Sequence, residues 1–86
     1  MYTIVFSRLA QKDKSFLKQA GLEDKARAIL NVLIVDPHQT PPTYEKLQGD
    51  LKGYYSRRIN RQHRMIYRIN ETEKIIHIAR MWTHYE

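Results

Sequence analysis

A carboxylate, several arginines and a histidine stand in the second half of the chain and could together act on a phosphate ester. Glu45 is an isolated carboxylate just before a basic stretch, and His84 follows the last predicted strand. Cleavage of RNA through its 2′-hydroxyl needs a base, a cation that stabilises the phosphorane and an acid for the leaving 5′ oxygen. Glu45 could be the base, and His84 could be an acid or a base because histidine titrates near neutral pH. Taken singly, each is more often a solvated surface residue.

The arginines lie in a stretch that lacks acidic residues. Six basic residues and no acidic ones occur between Lys52 and Arg68, and such an excess repels itself unless it meets an anion. RNA, DNA and an acidic protein all qualify, and a solvated basic face is the alternative. If residues 60–62 form a hairpin loop, Arg58 lies opposite Arg64 on one face of the sheet. Since the planar fork of arginine matches phosphate oxygens, this pair predicts a phosphate site; a slip of one residue in register would move both side chains.

Other residues point to chemistry less specifically. Tyr85 could donate a proton or stack on an unpaired base, or it could cap the edge of the core. Three further aromatic residues are more typical of a core: Tyr54, Tyr55 and Trp82. The histidines have no metal-ligand spacing, cysteine is absent, and no glycine-rich phosphate loop or serine nucleophile motif occurs. We therefore predict a site that uses no metal and no cofactor.

These residues must be positioned by the surrounding helices and strands. The sequence pattern predicts an α+β domain with elements in the order β-α-α-β-β-β. A strand over Tyr2–Phe6 leads to Ser7, a good N-cap, and a helix from Arg8 that ends at Gly21. The apolar face of this helix is predicted at Leu9, Phe16, Leu17 and Ala20. A second helix runs from about Leu22 to the residues before Pro37. Three strands follow, over Tyr54–Ile59, Arg64–Asn70 and Lys74–Trp82. Both helices should pack on one face of an antiparallel sheet, which leaves the other face free.

Length and composition limit the class of protein. With 86 residues and 42% hydrophobic side chains, the chain can build one domain, which we place at residues 1–86. We expect no signal peptide and no membrane-spanning segment. Since a secreted domain this small would usually need disulfides, the absence of cysteine favours the cytoplasm.

Three segments of the chain share a specific combination of residues with one known family. They are EKLQGDLKGYYSRRI at 45–59, NRQHRMIY at 60–67 and WTHY at 82–85. Together they resemble the YoeB family of the RelE/ParE toxin superfamily, and the first half agrees in its strand-helix-helix plan. The resemblance implies a microbial-ribonuclease-like RelE fold and the toxin of a type II toxin–antitoxin system. It also implies a messenger RNA endonuclease that acts in the ribosomal A site without metal, and a YefM-type antitoxin as partner. Whether the chain also forms a homodimer is left open.

The same resemblance assigns roles to individual residues. Glu45 matches the general base, Arg64 the phosphate-stabilising arginine and Arg58 its supporting neighbour. His84 and Tyr85 match the pair at the scissile phosphate, with His84 as general acid. Further RNA contacts are expected from the surrounding basic residues: Arg57, Lys46, Lys52 and Arg61.

Two departures from the family and two alternative functions accompany this hypothesis. Family members often have a lysine three residues after the catalytic glutamate, where this chain has Gln48. Lys46 or Lys52 could supply the missing cation. Glu86 adds a carboxylate after Tyr85. One alternative is a ParE-like gyrase poison, which would need neither Glu45 nor the terminal His84. The other is a non-catalytic RNA-binding module, which would need only the arginines.

Overall fold

The computed structural model describes residues 1–83, which form an α+β structure. The elements are β1 (Thr3–Phe6), α1 (Arg8–Gln19), α2 (Glu23–Val35), β2 (Tyr44–Lys46), a 3₁₀ turn (Gly49–Leu51), β3 (Tyr55–Arg58), β4 (Arg64–Asn70) and β5 (Ile75–Arg80). Within these residues the strands make one five-stranded sheet in the order β1-β5-β4-β3-β2. The predicted class, with two helices beside one sheet, is confirmed.

Two details of the predicted sheet are corrected. The sheet is mixed rather than wholly antiparallel, because β1 pairs in parallel with β5 and Thr3 lies opposite Ile75. The sequence contains β1 as an isolated strand, and its partner is set only when the two helices return the chain across the sheet. The polar segment after Pro42 also contributes a strand, β2, whose three residues are too few to show a period in the sequence.

The helix boundaries agree with the capping residues. Ser7 Oγ accepts a hydrogen bond from Ala10 N at 3.0 Å, and Gly21, just after α1, has φ of +71°, which favours glycine. The predicted buried face of α1 was partly wrong, since Leu9 and Phe16 are 52% and 46% exposed. The side chains that α1 buries are Ala10, Asp13 and Leu17. Hydrophobicity alone does not predict this face, because one of its members is a carboxylate.

The core lies between the helices and one face of the sheet. Alternation along the strands directs one set of side chains towards the helices, and its most buried members are Met65, Tyr67, Ile76 and Ile78. The helices contribute Ala10, Leu17 and Leu33 to the same core. The opposite set, which includes Val5, Arg58 and Arg68, lies on the face without helices, here called the open face. Among residues 1–83, no helix has the length and apolar character to cross a bilayer.

A hydrogen-bonded cluster joins the loop after α2 to the turn between β4 and β5. Glu71 accepts hydrogen bonds from the Tyr2 hydroxyl at 2.7 Å and interacts with His38 Nε2 at 2.8 Å. The contact with His38, followed by the one with Tyr2, holds the pKa of Glu71 below its ordinary value of 4.5. The hydrogen bond to Glu71 in turn raises the pKa of Tyr2.

This cluster predicts a pH-dependent contribution to stability. Because the pKa of Glu71 is lower in the folded chain than in the unfolded chain, its stabilisation is present above about pH 4.5 and is lost as the pH falls through the folded value. We expect Glu71→Gln to destabilise the protein at pH 7 and to have a smaller effect at pH 3, where protonation of Glu71 is more advanced. Urea unfolding at both pH values measures this difference, and an equal loss at both would contradict the assignment.

Candidate active site

The hairpin between β3 and β4 places two arginines side by side on the open face. Arg58 pairs with Arg64 in the observed register, so the predicted pairing is confirmed. Asn60 fixes the hairpin loop, because its Oδ1 accepts hydrogen bonds from the backbone N–H groups of Gln62 at 2.9 Å and His63 at 2.7 Å. The register that the sequence left open is therefore set by the asparagine in the loop.

The edge strand β2 adds a carboxylate to the same face. Glu45 pairs with Ser56 in the register of β2 and β3, and Ser56 lies on the same face as Arg58 because they are two residues apart in one strand. Arg64 Nη1 lies 3.4 Å from Glu45 Oε1 and 3.3 Å from Ser56 Oγ. Both contacts are long for hydrogen bonds, so they hold the guanidinium loosely. An anion could therefore compete for Arg64.

These side chains line a cleft large enough for part of a nucleotide. Its volume is about 270 Å³, and its walls are Pro42, Thr43, Glu45, Ser56, Arg58 and Arg64. The side chain of Arg64 is 14% exposed and that of Glu45 is 58% exposed, so the cation lies deeper than the carboxylate. The partial burial of Arg64 strengthens its interaction with an anion. The cleft thus combines a solvent-accessible carboxylate, a recessed cation and a second guanidinium at the rim.

Arg57 does not belong to this cleft, and its prediction as an RNA-binding residue was wrong. Its side chain points to the opposite face and the residue is 0% exposed. It donates to the Tyr67 hydroxyl at 2.9 Å, to Pro37 O at 2.8 Å and to Pro42 O. Burial raises the pKa of Tyr67, although the hydrogen bond from Arg57 opposes this effect. Arg57 thus fixes the loop that leads into β2 and Glu45.

The other predicted RNA-binding cations are exposed but lie outside the cleft. Arg61 is at the tip of the hairpin, beside Asn60 and Gln62. Lys46 points away from Glu45 because the two are neighbours in one strand. Lys46 and Lys52 instead border a shallow cavity beside Gln48. Neither lysine lines the cleft of Arg64, so the structure does not support Lys46 or Lys52 as a substitute for the cation that Gln48 lacks.

The chain after β5 returns to the start of β4. Thr83 O accepts a hydrogen bond from Arg64 N at 3.0 Å. The Trp82 ring stacks on His63 with centroids 3.7 Å apart and on Phe16 with centroids 5.8 Å apart. The predictions for His84 and Tyr85, and the departure at Glu86, lie outside the described residues.

Two residues around this site were not predicted from the sequence. Ser56 contacts Arg64, and its position two residues before Arg58 was a signal that it shares the arginine face. Asp13 accepts hydrogen bonds from the segment that precedes Thr83. No pattern in the sequence connects Asp13 with a segment 67 residues later.

Comparison with known proteins identifies the family. A model of the YoeB-like toxin of bacterial type II toxin–antitoxin systems matches residues 6–85. The chain belongs to the YoeB family. A YoeB toxin of Synechocystis is 34% identical over 76 residues, which cover 88% of this chain and 79% of that protein. The resemblance noted in the sequence is therefore confirmed, and the chain is a toxin of the type II class.

Solved structures of YoeB-type toxins share the fold over nearly the whole chain. The Staphylococcus aureus YoeB, solved as a heterotetrameric complex with YefM, is 32% identical with a TM-score of 0.82 and 99% coverage of both chains. It has also been solved as a dimer. A YoeB/ParE toxin of Agrobacterium tumefaciens is 26% identical with a TM-score of 0.87, covering 96% of this chain and 99% of that one.

Proposed function

We propose that this YoeB-family toxin is a ribosome-dependent endoribonuclease that cleaves messenger RNA in the A site and so inhibits translation. The observation that carries the proposal is the approach of Glu45 to Arg64 within 3.4 Å, in one cleft with Arg58. A carboxylate in an anion-binding cleft weakens binding through charge repulsion. Its presence there is explained if it takes a proton from the bound RNA.

The proposed mechanism uses the 2′-hydroxyl of the messenger as the nucleophile. Glu45 takes the 2′ proton while the 2′ oxygen bonds to phosphorus, and the bond from phosphorus to the 5′ oxygen breaks. Arg64, supported by Arg58, stabilises the negative charge of the phosphorane. His84 donates a proton to the leaving 5′ oxygen, and Tyr85 stacks on a neighbouring base. The products are a 2′,3′-cyclic phosphate and a 5′-hydroxyl.

Dependence on the ribosome is supported by the distribution of charge. The net charge is +6, and exposed cations such as Arg61, Lys52 and Arg68 extend the basic surface beyond the cleft. Such a surface can bind the phosphates of a larger RNA assembly in the cytoplasm, where translation takes place. Incubation of a defined messenger with the toxin, with and without programmed ribosomes, tests this: cleavage should require the ribosome.

The gyrase-poison and RNA-binding alternatives give different outcomes in the same preparation. A gyrase poison would leave messenger intact and block DNA supercoiling by purified gyrase. An RNA-binding module would retain messenger without cutting it. Neither alternative gives a role to a carboxylate placed against Arg64, and the endonuclease is therefore preferred.

A YefM-type antitoxin is the proposed partner, by analogy with the Staphylococcus aureus complex. We expect an acidic or amphipathic segment of the antitoxin to cover the open face, because carboxylates there would pair with Arg58 and Arg64. The toxin alone is proposed to form a dimer like that relative, which analytical ultracentrifugation tests.

Occlusion of the open face predicts fast, salt-sensitive association with the antitoxin. Arg58→Gln should slow association at low salt, and raising the salt should reduce the difference from wild type. Arg27→Gln, on α2 and paired only with Asp24 among residues 1–83, is the matched control and should associate at the wild-type rate. Surface-plasmon kinetics at two salt concentrations measure this. A neutralising footprint that leaves Arg58 and Arg64 exposed would contradict direct occlusion.

A further inference from the structure

A buried carboxylate on α1 holds the segment that precedes His84. Asp13 is 2% exposed, and its carboxylate is surrounded by hydrogen-bond donors. Its Oδ2 accepts hydrogen bonds from Arg80 Nε at 3.0 Å, Met81 N at 2.9 Å and Trp82 N at 3.2 Å. Its Oδ1 accepts from Arg80 Nη2 at 3.3 Å. The side chain thus fixes three consecutive residues.

The same segment is restrained from other directions as well. Arg80 Nη2 also donates to Trp82 O at 3.1 Å. Trp82 lies between the rings of Phe16 and His63, and Thr83 O accepts from Arg64 N. The chain is therefore restrained as far as Thr83, the residue before His84, and Thr83 contacts the backbone of Arg64.

The partners of Asp13 explain why a carboxylate occupies this buried position. A buried charge is unfavourable unless it is paired and hydrogen-bonded. An apolar side chain at this position would leave the N–H groups of Met81 and Trp82 without this acceptor. All the hydrogen bonds of the Asp13 side chain within residues 1–83 go to residues 80–82, and none goes to the helices or to the other strands. Their common effect is to fix the direction in which the chain leaves β5.

We propose that Asp13 is a positioning residue for the C-terminal His84–Tyr85 pair. The inference rests on the proposed endonuclease function, in which His84 protonates the 5′ oxygen. Asp13 acts at a distance, through the backbone of residues 80–83, and touches no reacting atom. Loss of its charge should therefore impair protonation of the leaving group and leave the steps of Glu45 and Arg64 unchanged.

Single-turnover cleavage of a ribosome-bound messenger, with either oxygen or sulfur at the scissile 5′ position, tests this. A sulfur leaving group departs without a proton from the enzyme. With the natural messenger, Asp13→Asn should lower the rate by about 10- to 100-fold, part of the roughly 10²–10⁴-fold range of an acid. With the sulfur-linked messenger, it should cleave at the wild-type rate. His84→Ala combined with Asp13→Asn should be no slower than His84→Ala alone.

Asp24→Asn is the matched control, since it removes the same charge from an exposed position on α2 and should cleave both messengers at the wild-type rate. If Asp13→Asn does not fold, Arg80→Gln breaks the guanidinium part of the network and should give a smaller loss, again restricted to the oxygen-linked messenger. Equal losses on both messengers, in whichever variant folds, would overturn the proposal.

The outcomes separate this inference from the function on which it rests. If sulfur rescues His84→Ala but not the folded Asp13→Asn or Arg80→Gln variant, the acid assignment stands and the positioning role fails. If the wild-type protein cleaves neither messenger on the ribosome, the proposed function itself fails.

Discussion

Arg64→Ala is expected to reduce the single-turnover rate of messenger cleavage by about a hundredfold or more, the scale of losing one donor to a developing oxyanion. Arg64 is the recessed cation of the cleft, and its guanidinium lies within 3.4 Å of Glu45 and Ser56. Ribosome binding should fall much less, because Arg58, Arg61 and other cations share the attraction to phosphate. Rates and affinities measured in the same ribosome preparation separate these effects.

Two control variants make the Arg64 result specific. Arg61→Ala removes an exposed guanidinium outside the cleft, so it should weaken binding, most strongly at low salt, and leave the rate of the bound complex unchanged. Arg64→Lys keeps the charge but loses the planar fork, so it should recover only part of the rate. If Arg64→Ala lowered affinity and rate by the same factor, Arg64 would be a binding residue and not a stabiliser of the phosphorane.

Glu45→Gln is expected to slow cleavage by about 10²–10⁴-fold, the range of general acid–base catalysis. The substitution preserves size and leaves the 58%-exposed side chain without a group that can accept the 2′ proton. Binding should be unchanged or slightly tighter, because a negative charge is removed beside Arg64. This opposite effect on affinity and rate distinguishes a base from a residue that only holds the substrate.

The matched control for Glu45 is Glu73→Gln, on the turn between β4 and β5, where the carboxylate accepts a hydrogen bond from Asn70 at 3.2 Å. This substitution removes one carboxylate charge at a position outside the cleft, so it should leave cleavage unchanged. Full activity of a folded Glu45→Gln protein would show that another group takes the proton.

The parts of the fold predicted correctly are those set by local signals. Ser7 and Gly21 bound α1 as their capping preferences indicate. The pairing of Arg58 with Arg64 followed from assuming a hairpin loop of residues 60–62, and Asn60 supplies the hydrogen bonds that make this loop stable. The sequence therefore predicted this pairing only on the assumption of a loop length, which the hydrogen bonds of Asn60 explain.

The parts that could not be predicted depend on contacts between distant segments. Strand alternation turns Arg57 away from the face of Arg58, but the partners that bury it, Tyr67 and Pro37 O, come from distant parts of the chain. Asp13 is buried because of donors that the C-terminal segment provides. The parallel pairing of β1 with β5 likewise depends on the path of the whole chain. Hydrophobic pattern carries none of this information.

The end groups of the cleaved messenger test the central claim most directly. Wild-type protein, programmed ribosomes and a messenger labelled on both sides of the A-site codon suffice for the measurement. The proposed mechanism predicts a 2′,3′-cyclic phosphate on the upstream fragment and a 5′-hydroxyl on the downstream fragment, with both lost in Glu45→Gln. An intact messenger, or fragments that end in a 3′-hydroxyl and a 5′-phosphate, would contradict cleavage through the 2′-hydroxyl.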